Sequence, residues 1–171
     1  MSRDGRRLEE LAEVHGPRVL GYLARRTNDP ADAADVFQAV LVATWKRLSD
    51  VPDDDQGALA WLLGTARRCL ANHRRGRTRR LQATERLRNS IRLATVDVEN
   101  LAPGVTEAMM SLEEDDQEIL TLVYWEDLTI EQAARVLEVT PVAARKRIER
   151  ARTRLRNHLE RLQSEPDREP A

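Results

Sequence analysis

The sequence predicts an all-α protein of two small helical domains joined by a flexible linker, the C-terminal domain built around a helix-turn-helix. Three observations carry this. Ala, Leu, Arg and Glu dominate the 171 residues, only 4% are aromatic, and no strand-like alternation persists. Apolar residues recur at helical spacing in several separate segments. Between about Arg74 and Pro103 hydrophobic order fades, as in a linker. With 41% hydrophobic residues the chain can bury a core. The expected division is a first domain over 1–80, a linker over 81–103, a second domain over 104–163 and a disordered tail over 164–171.

The first helix is expected from about Arg6 to Arg26, with Leu8, Leu11, Ala12, His15, Val19, Tyr22 and Leu23 at helical spacing and a break or kink at Gly16 and Pro17. Asn28 or Asp29 caps a second helix that has Pro30 at its first position. Ala33, Val36, Phe37, Val40, Leu41, Thr44, Trp45 and Leu48 form its apolar stripe. Ser49 to Gly57, with Pro52 and Asp53, Asp54 and Asp55, reads as a solvated acidic loop. A third helix starts at Ala58, buries Leu59, Leu62, Leu63, Ala66 and Leu70, and emerges into an arginine block. The second domain opens near Val105 with a helix through Met109 and Leu112 and another through Ile119, Leu120, Leu122 and Val123.

Leu128 to Leu155 is the most informative stretch. Thr129 caps a helix, and Gln132 three residues on completes a capping box. Ile130, Ala133, Ala134 and Leu137 face inward, and Val139 fills the corner. Thr140 and Pro141 start a second helix that runs to about Leu159. Its inner stripe is read as Val142, Ile148, Ala151, Leu155 and Leu159. Its outer surface carries Arg145, Lys146, Glu149, Arg150, Arg152, Arg154 and Arg156. A capped scaffold helix, a tight corner and a basic second helix are the sequence form of a DNA-reading helix-turn-helix.

The net charge of −1 hides a segregation of signs. Arg67 to Arg80 contains seven arginines and no acid, and Arg145 to Arg156 contains six arginines and Lys146 against Glu149. Such blocks suit a polyanionic partner. The single cysteine, Cys69, excludes an internal disulfide and fits a reducing, cytoplasmic setting, and it continues an apolar spacing as a small buried hydrophobe does. No secretory signal or membrane-spanning run is read. The three histidines lie in different segments, and neither a Cys-His metal spacing nor a glycine-rich phosphate loop occurs. The expectation is a protein that is not an enzyme and has no cofactor, no metal and no catalytic residue.

DPADAADVFQAVLVATWKRL, AWLLGTARRCLANHRRGR and the helix-turn-helix, in this order and spacing, resemble a bacterial RNA polymerase sigma factor of the extracytoplasmic-function group of the sigma-70 family. The resemblance covers about Leu8 to Leu159. It implies an alternative sigma factor that binds core RNA polymerase and directs promoter-specific initiation. Asp32, Asp35 and Gln38 then match the core-binding positions, with Ala39 standing where the family has a further acid. Trp61, Arg67, Arg68, Asn72, His73, Arg74 and Arg75 match the region that melts and captures the promoter element nearer the start site. Trp61 is open to two readings, core or stacking platform, and Arg68 replaces a usual asparagine. Arg145, Lys146 and Glu149 match readers of the upstream hexamer, and Arg147, Arg150, Arg152 and Arg154 fall where phosphates are met. Glu138 stands at a turn position where the family commonly has glycine. An anti-sigma factor is an implied partner, and the free chain is expected to be a monomer without membrane insertion.

Two other classes fit parts of the pattern. A stand-alone helix-turn-helix regulator predicts a dimer that binds duplex DNA tightly by itself. A helical protein-interaction adaptor predicts capture of a protein on the Asp32 to Leu48 surface and no DNA binding at modest salt.

Overall fold

The structure, a computed structural model, describes residues 3–84 and 104–164. Every regular element among them is helical. The chain divides into two compact units, Met1–Thr95 and Val96–Ala171.

The first unit packs α1 (Arg3–Ala24), α2 (Pro30–Lys46) and α3 (Asp55–Thr84) so that each helix touches the other two. Asp29 caps α2 by accepting a hydrogen bond from the Ala31 amide at 2.8 Å, and Pro30 takes the first position, where a missing N–H costs nothing. Val19, Tyr22 and Leu23 of α1, Val36 and Val40 of α2, and Leu59, Leu63 and Ala66 of α3 fill the centre. Burying each large apolar side chain contributes about 1.5–3 kcal/mol.

Three expectations are corrected here. α1 runs through Gly16 and Pro17 as one helix, so the break expected there does not occur. Pro17 forgoes a backbone bond, at a cost of about 3 kcal/mol, and the buried Val19, Tyr22 and Leu23 beyond it offset that loss. Gly16 is a contact point, since a Cβ there would sit 3.4 Å from the Phe37 ring. Trp45, placed in the apolar stripe of α2, is 47% exposed. α3 begins at Asp55 and continues to Thr84, so the helix includes the arginine block and the first residues, 81–84, of the expected linker. Arg, Gln, Leu and Ala favour helix even where no apolar face directs it, which thin hydrophobicity conceals. The rest of the expected linker, 85–103, and all but the first residue of the expected tail, 165–171, lie outside the described residues.

The loop before α3 contains a short 3-10 turn (Leu48–Asp50) that buries Leu48. Arg7 reaches across to donate to the Val51 carbonyl at 2.8 Å and to Asp53 at 2.7 Å, while Asp55 lies 3.5 Å from the buried His15. The Val51 carbonyl and Asp53 thus fasten the loop to α1 through Arg7.

The second unit places α7 (Pro141–Ser164) against α4 (Val105–Met110), α5 (Glu114–Leu120) and α6 (Ile130–Leu137). α5 widens into a π-helical turn (Thr121–Trp125), where the Glu126 amide donates five residues back to the Thr121 carbonyl at 3.0 Å. The core contains Ile119, Leu120, Leu122, Ala133, Ala134, Val136, Ala144, Ile148 and Ala151. Val142 was expected in the inner stripe of α7 and is 60% exposed, with Ala144 in the inner position instead. Ile148, Ala151 and Leu155 set the inner face, and Val142 falls nearly opposite it at 100° per residue.

Candidate nucleic-acid interface

Two charged surfaces, one per unit, carry the candidate residues. On α3, the core is set by Leu59, Leu62, Leu63, Ala66 and Leu70. Positions 61, 68, 72 and 75 recur at i, i+7, i+11 and i+14, which aligns Trp61, Arg68, Asn72 and Arg75 along the opposite side. Arg68, Asn72 and Arg75 are exposed and Trp61 is half-buried. Arg68 donates to Thr65 Oγ1 at 3.2 Å and Arg75 donates to Asn72 Oδ1 at 2.6 Å, so the row is held in register by its own side chains. Trp61 keeps a π-face near the Arg47 guanidinium, 5.9 Å from the ring centroid.

The other expected residues of this set have neighbours within the unit. Arg74 donates to the Arg26 carbonyl just past the end of α1 at 2.9 Å, and Arg67 is half-buried. His73 sits with Nε2 3.3 Å from Asp32 of α2, within ion-pair range but without the alignment of a hydrogen bond. Asp35 and Gln38 stand exposed on α2, whereas Asp32 is half-buried against His73. Cys69 is half-buried, and its burial raises the thiol pKa while Arg68 pulls it down.

In the second unit the corner is built from caps. Thr129 accepts from the Gln132 amide at 3.2 Å and Gln132 Oε1 accepts from the Thr129 amide at 2.8 Å, which completes the expected capping box. α6 then ends on Glu138 in the left-handed region, φ 58 and ψ 39, and Val139 donates back to the Ala134 carbonyl at 3.0 Å. Thr140 caps α7 through the Ala143 amide at 3.2 Å. The start of α7 is therefore fixed by a capped helix, a one-residue reversal and a second cap.

From that start α7 presents Lys146, Glu149, Arg150 and Arg152 to solvent, and Arg145, also exposed, lies 3.5 Å from Glu131 of α6. Two arginines expected at phosphates have other partners. Arg147 faces Asp115 at 3.3 Å, and Arg154 meets the buried Asp116 at 2.5 Å with Glu113 at 3.5 Å. The Asp116 hydrogen bond and charge, with Glu113 behind them, raise the Arg154 pKa. These contacts tie α7 to the start of α5 and leave Arg145, Lys146, Arg150, Arg152 and Arg156 as exposed cations outside them. Glu113, Asp115 and Asp116 are thus counter-ions to the arginines of α7. Their pairing depends on which flank of α7 meets α5, and no local signal carries that.

The long basic helix of one unit and the helix-turn-helix of the other each lie largely within a matched family region. The family description sigma-70 region 2 matches residues 11–80, and sigma-70 region 4 matches residues 104–155. The chain belongs to the sigma-70 family. Region 2 thus contains the α3 surface and region 4 contains the helix-turn-helix, in family order. The ECF RNA polymerase sigma factor SigL of Mycobacterium tuberculosis is 25% identical over 159 residues, covering 91% of this chain and 90% of that protein. The "Probable RNA polymerase sigma factor RfaY" of Xanthomonas campestris pv. campestris is 30% identical over 143 residues, covering 78% of this chain, which spans 35% of that relative's length. In fold, the chain is similar to the sigma factor RpoE of Bartonella quintana, solved in complex with the anti-sigma factor NepR, with TM-score 0.66, 22% identity and 89% and 95% of the two chains covered. CnrH, solved with the cytosolic domain of CnrY, gives TM-score 0.58 at 22% identity over 91% of this chain and 89% of that one. Among the described residues no helix is long and apolar enough to cross a membrane. An alternative sigma factor directing transcription initiation is the function that this membership carries.

Proposed function

We propose that this sigma-70 chain binds core RNA polymerase through α2, captures and melts the promoter near the start site with α3, and reads the upstream hexamer with α7. Its work is binding and strand separation with no bond-making chemistry of its own, in the cytoplasm. The observation that carries this reading is the row of half-buried Trp61 and exposed Arg68, Asn72 and Arg75 on a helix fixed by its buried opposite side. Unstacked bases need π-faces and phosphates need cations, and such a row offers both. Asp35 and Gln38 are the free polar groups proposed for the polymerase, with Asp32 as their half-buried neighbour. Arg145, Lys146 and Glu149 read base edges, and Arg150 and Arg152 hold phosphates. Arg147 and Arg154 take part in DNA binding only by steadying α7.

An anti-sigma factor is the proposed inhibitory partner, supported by the anti-sigma factor NepR named for the RpoE structure. The deciding experiment is run-off transcription with purified core polymerase, this chain and a pool of promoter fragments. Discrete transcripts that require the chain support the reading. Silence, together with tight dimeric binding to duplex DNA by the chain alone, would replace it with a stand-alone regulator.

A further inference from the structure

Val142 is an apolar residue outside the core of its unit. It occupies the first turn of α7, is 60% exposed, and points away from the inner face set by Ala144, Ile148 and Ala151. A β-branched apolar residue at such a place gains little from burial and has a lower helix propensity than Ala, Lys or Glu. Its spacing to the next turns is i+4 to Lys146 and i+7 to Glu149, so these three side chains share one outward face. Arg145 and Arg150, both exposed, flank that face. The result is a small apolar spot bordered by cations at the end of the helix that leads into a groove.

A polyanion with an apolar group on its readable surface fits that spot. In the major groove the one apolar group displayed by a base edge is the thymine 5-methyl, and the first residues of a recognition helix are those that reach base edges. Building on the upstream-hexamer reading of α7, we propose that Val142 is a specificity residue whose isopropyl group packs on the 5-methyl of a thymine, beside the bases met by Lys146 and Glu149. Arginine and lysine read purine acceptors and Glu149 accepts from cytosine, so Val142 supplies the apolar discrimination that the charged residues lack.

The test uses the chain assembled with core polymerase and duplexes that this holoenzyme enriches from a random pool. Thymines of the enriched upstream hexamer are replaced one at a time by deoxyuridine, which removes only the methyl group. Wild-type holoenzyme should lose about four-fold in affinity at one position, the scale of one buried methyl. Holoenzyme with Val142→Ala should bind the thymine and uracil duplexes equally, at the wild-type level for uracil. Because Val142 is exposed, the variant keeps its fold, which its helical circular dichroism and melting temperature would check. An unchanged uracil penalty in Val142→Ala, or no penalty in the wild type, overturns the proposal and leaves this apolar spot to a protein partner. Failure to enrich any duplex overturns the upstream-hexamer reading as well.

Discussion

The Asp32 carboxylate of α2 lies 3.3 Å from Nε2 of His73 on α3. One residue of the proposed polymerase surface therefore packs against one residue of the proposed melting surface. If Asp32 acts by positioning His73, Asp32→Ala and His73→Ala should each reduce promoter opening by a few-fold, and the double variant should be little worse than either. Asp35→Ala should weaken core binding and leave opening per bound complex unchanged. Competition for core polymerase and permanganate reactivity of promoter thymines separate the two effects. Additive losses would mean that the pair is a neighbourhood without coupling.

The arginines of α7 that pair with α5 and those that do not should differ in kind. Arg152→Ala should flatten the slope of log affinity against log salt by about 0.9, one phosphate's worth of counterions, across all promoter sequences. Arg154→Ala should leave that slope nearly unchanged and lower the melting temperature more than Arg152→Ala does, because Asp116 is left buried without its guanidinium. Arg145→Ala should alter which upstream sequences are accepted. Salt titrations on a promoter panel, with thermal melts of the same variants, check all three.

At the corner between α6 and α7, Glu138 holds a φ of 58, a region that favours glycine. Glu138→Gly should stabilise the chain by up to about 1 kcal/mol by relieving the Cβ contact in that conformation. Thr129→Ala should destabilise it by about 1 kcal/mol through loss of the capping box. Urea unfolding gives both values, and a destabilised Glu138→Gly would show that the side chain's own contacts outweigh the backbone strain.

Cys69 should be a slow thiol. Burial raises its pKa against the opposing pull of Arg68, so the reactive thiolate is scarcer than in a free cysteine at neutral pH. Alkylation by iodoacetamide should be slower in the folded chain than in urea. The folded chain also holds a proton that the unfolded chain releases above about pH 8.5, so this group's stabilising contribution is present below that pH and is lost as pH rises through the folded value. Cys69→Ala should remove that part of the alkaline decline, and rapid alkylation of the native chain would contradict the assignment.

Much of this molecule was legible in local signals. Asp29 and Pro30 at the start of α2, the Thr129 and Gln132 box, and Thr140 before Pro141 each act within a few residues, and each appears where its side chain can reach a free amide. Pro17 misled because the cost of a proline is local while the packing that overrides it is not. Val142 misled because an apolar residue near an apolar stripe was counted into it, although the helix phase set by Ile148 turns it outward. The Arg154 to Asp116 bond joins residues far apart in the chain, and charge blocks alone cannot say which arginines are committed to such bonds.

The unbroken α3 helix locks the angular phase of its two halves. The buried turns from Ala58 to Leu70 and the arginine turns beyond share one backbone screw, with about 100° per residue. One alanine inserted after Leu70 would leave the packed half in place and swing Asn72 and Arg75 about a quarter-turn away from Trp61 and Arg68. Seven inserted residues would bring them back to within about 20° while carrying them roughly 10 Å further along the axis. The gripping surface is therefore a ruler with a fixed dial, in which evolution can change the identity of a contact residue far more freely than the count of residues between contacts.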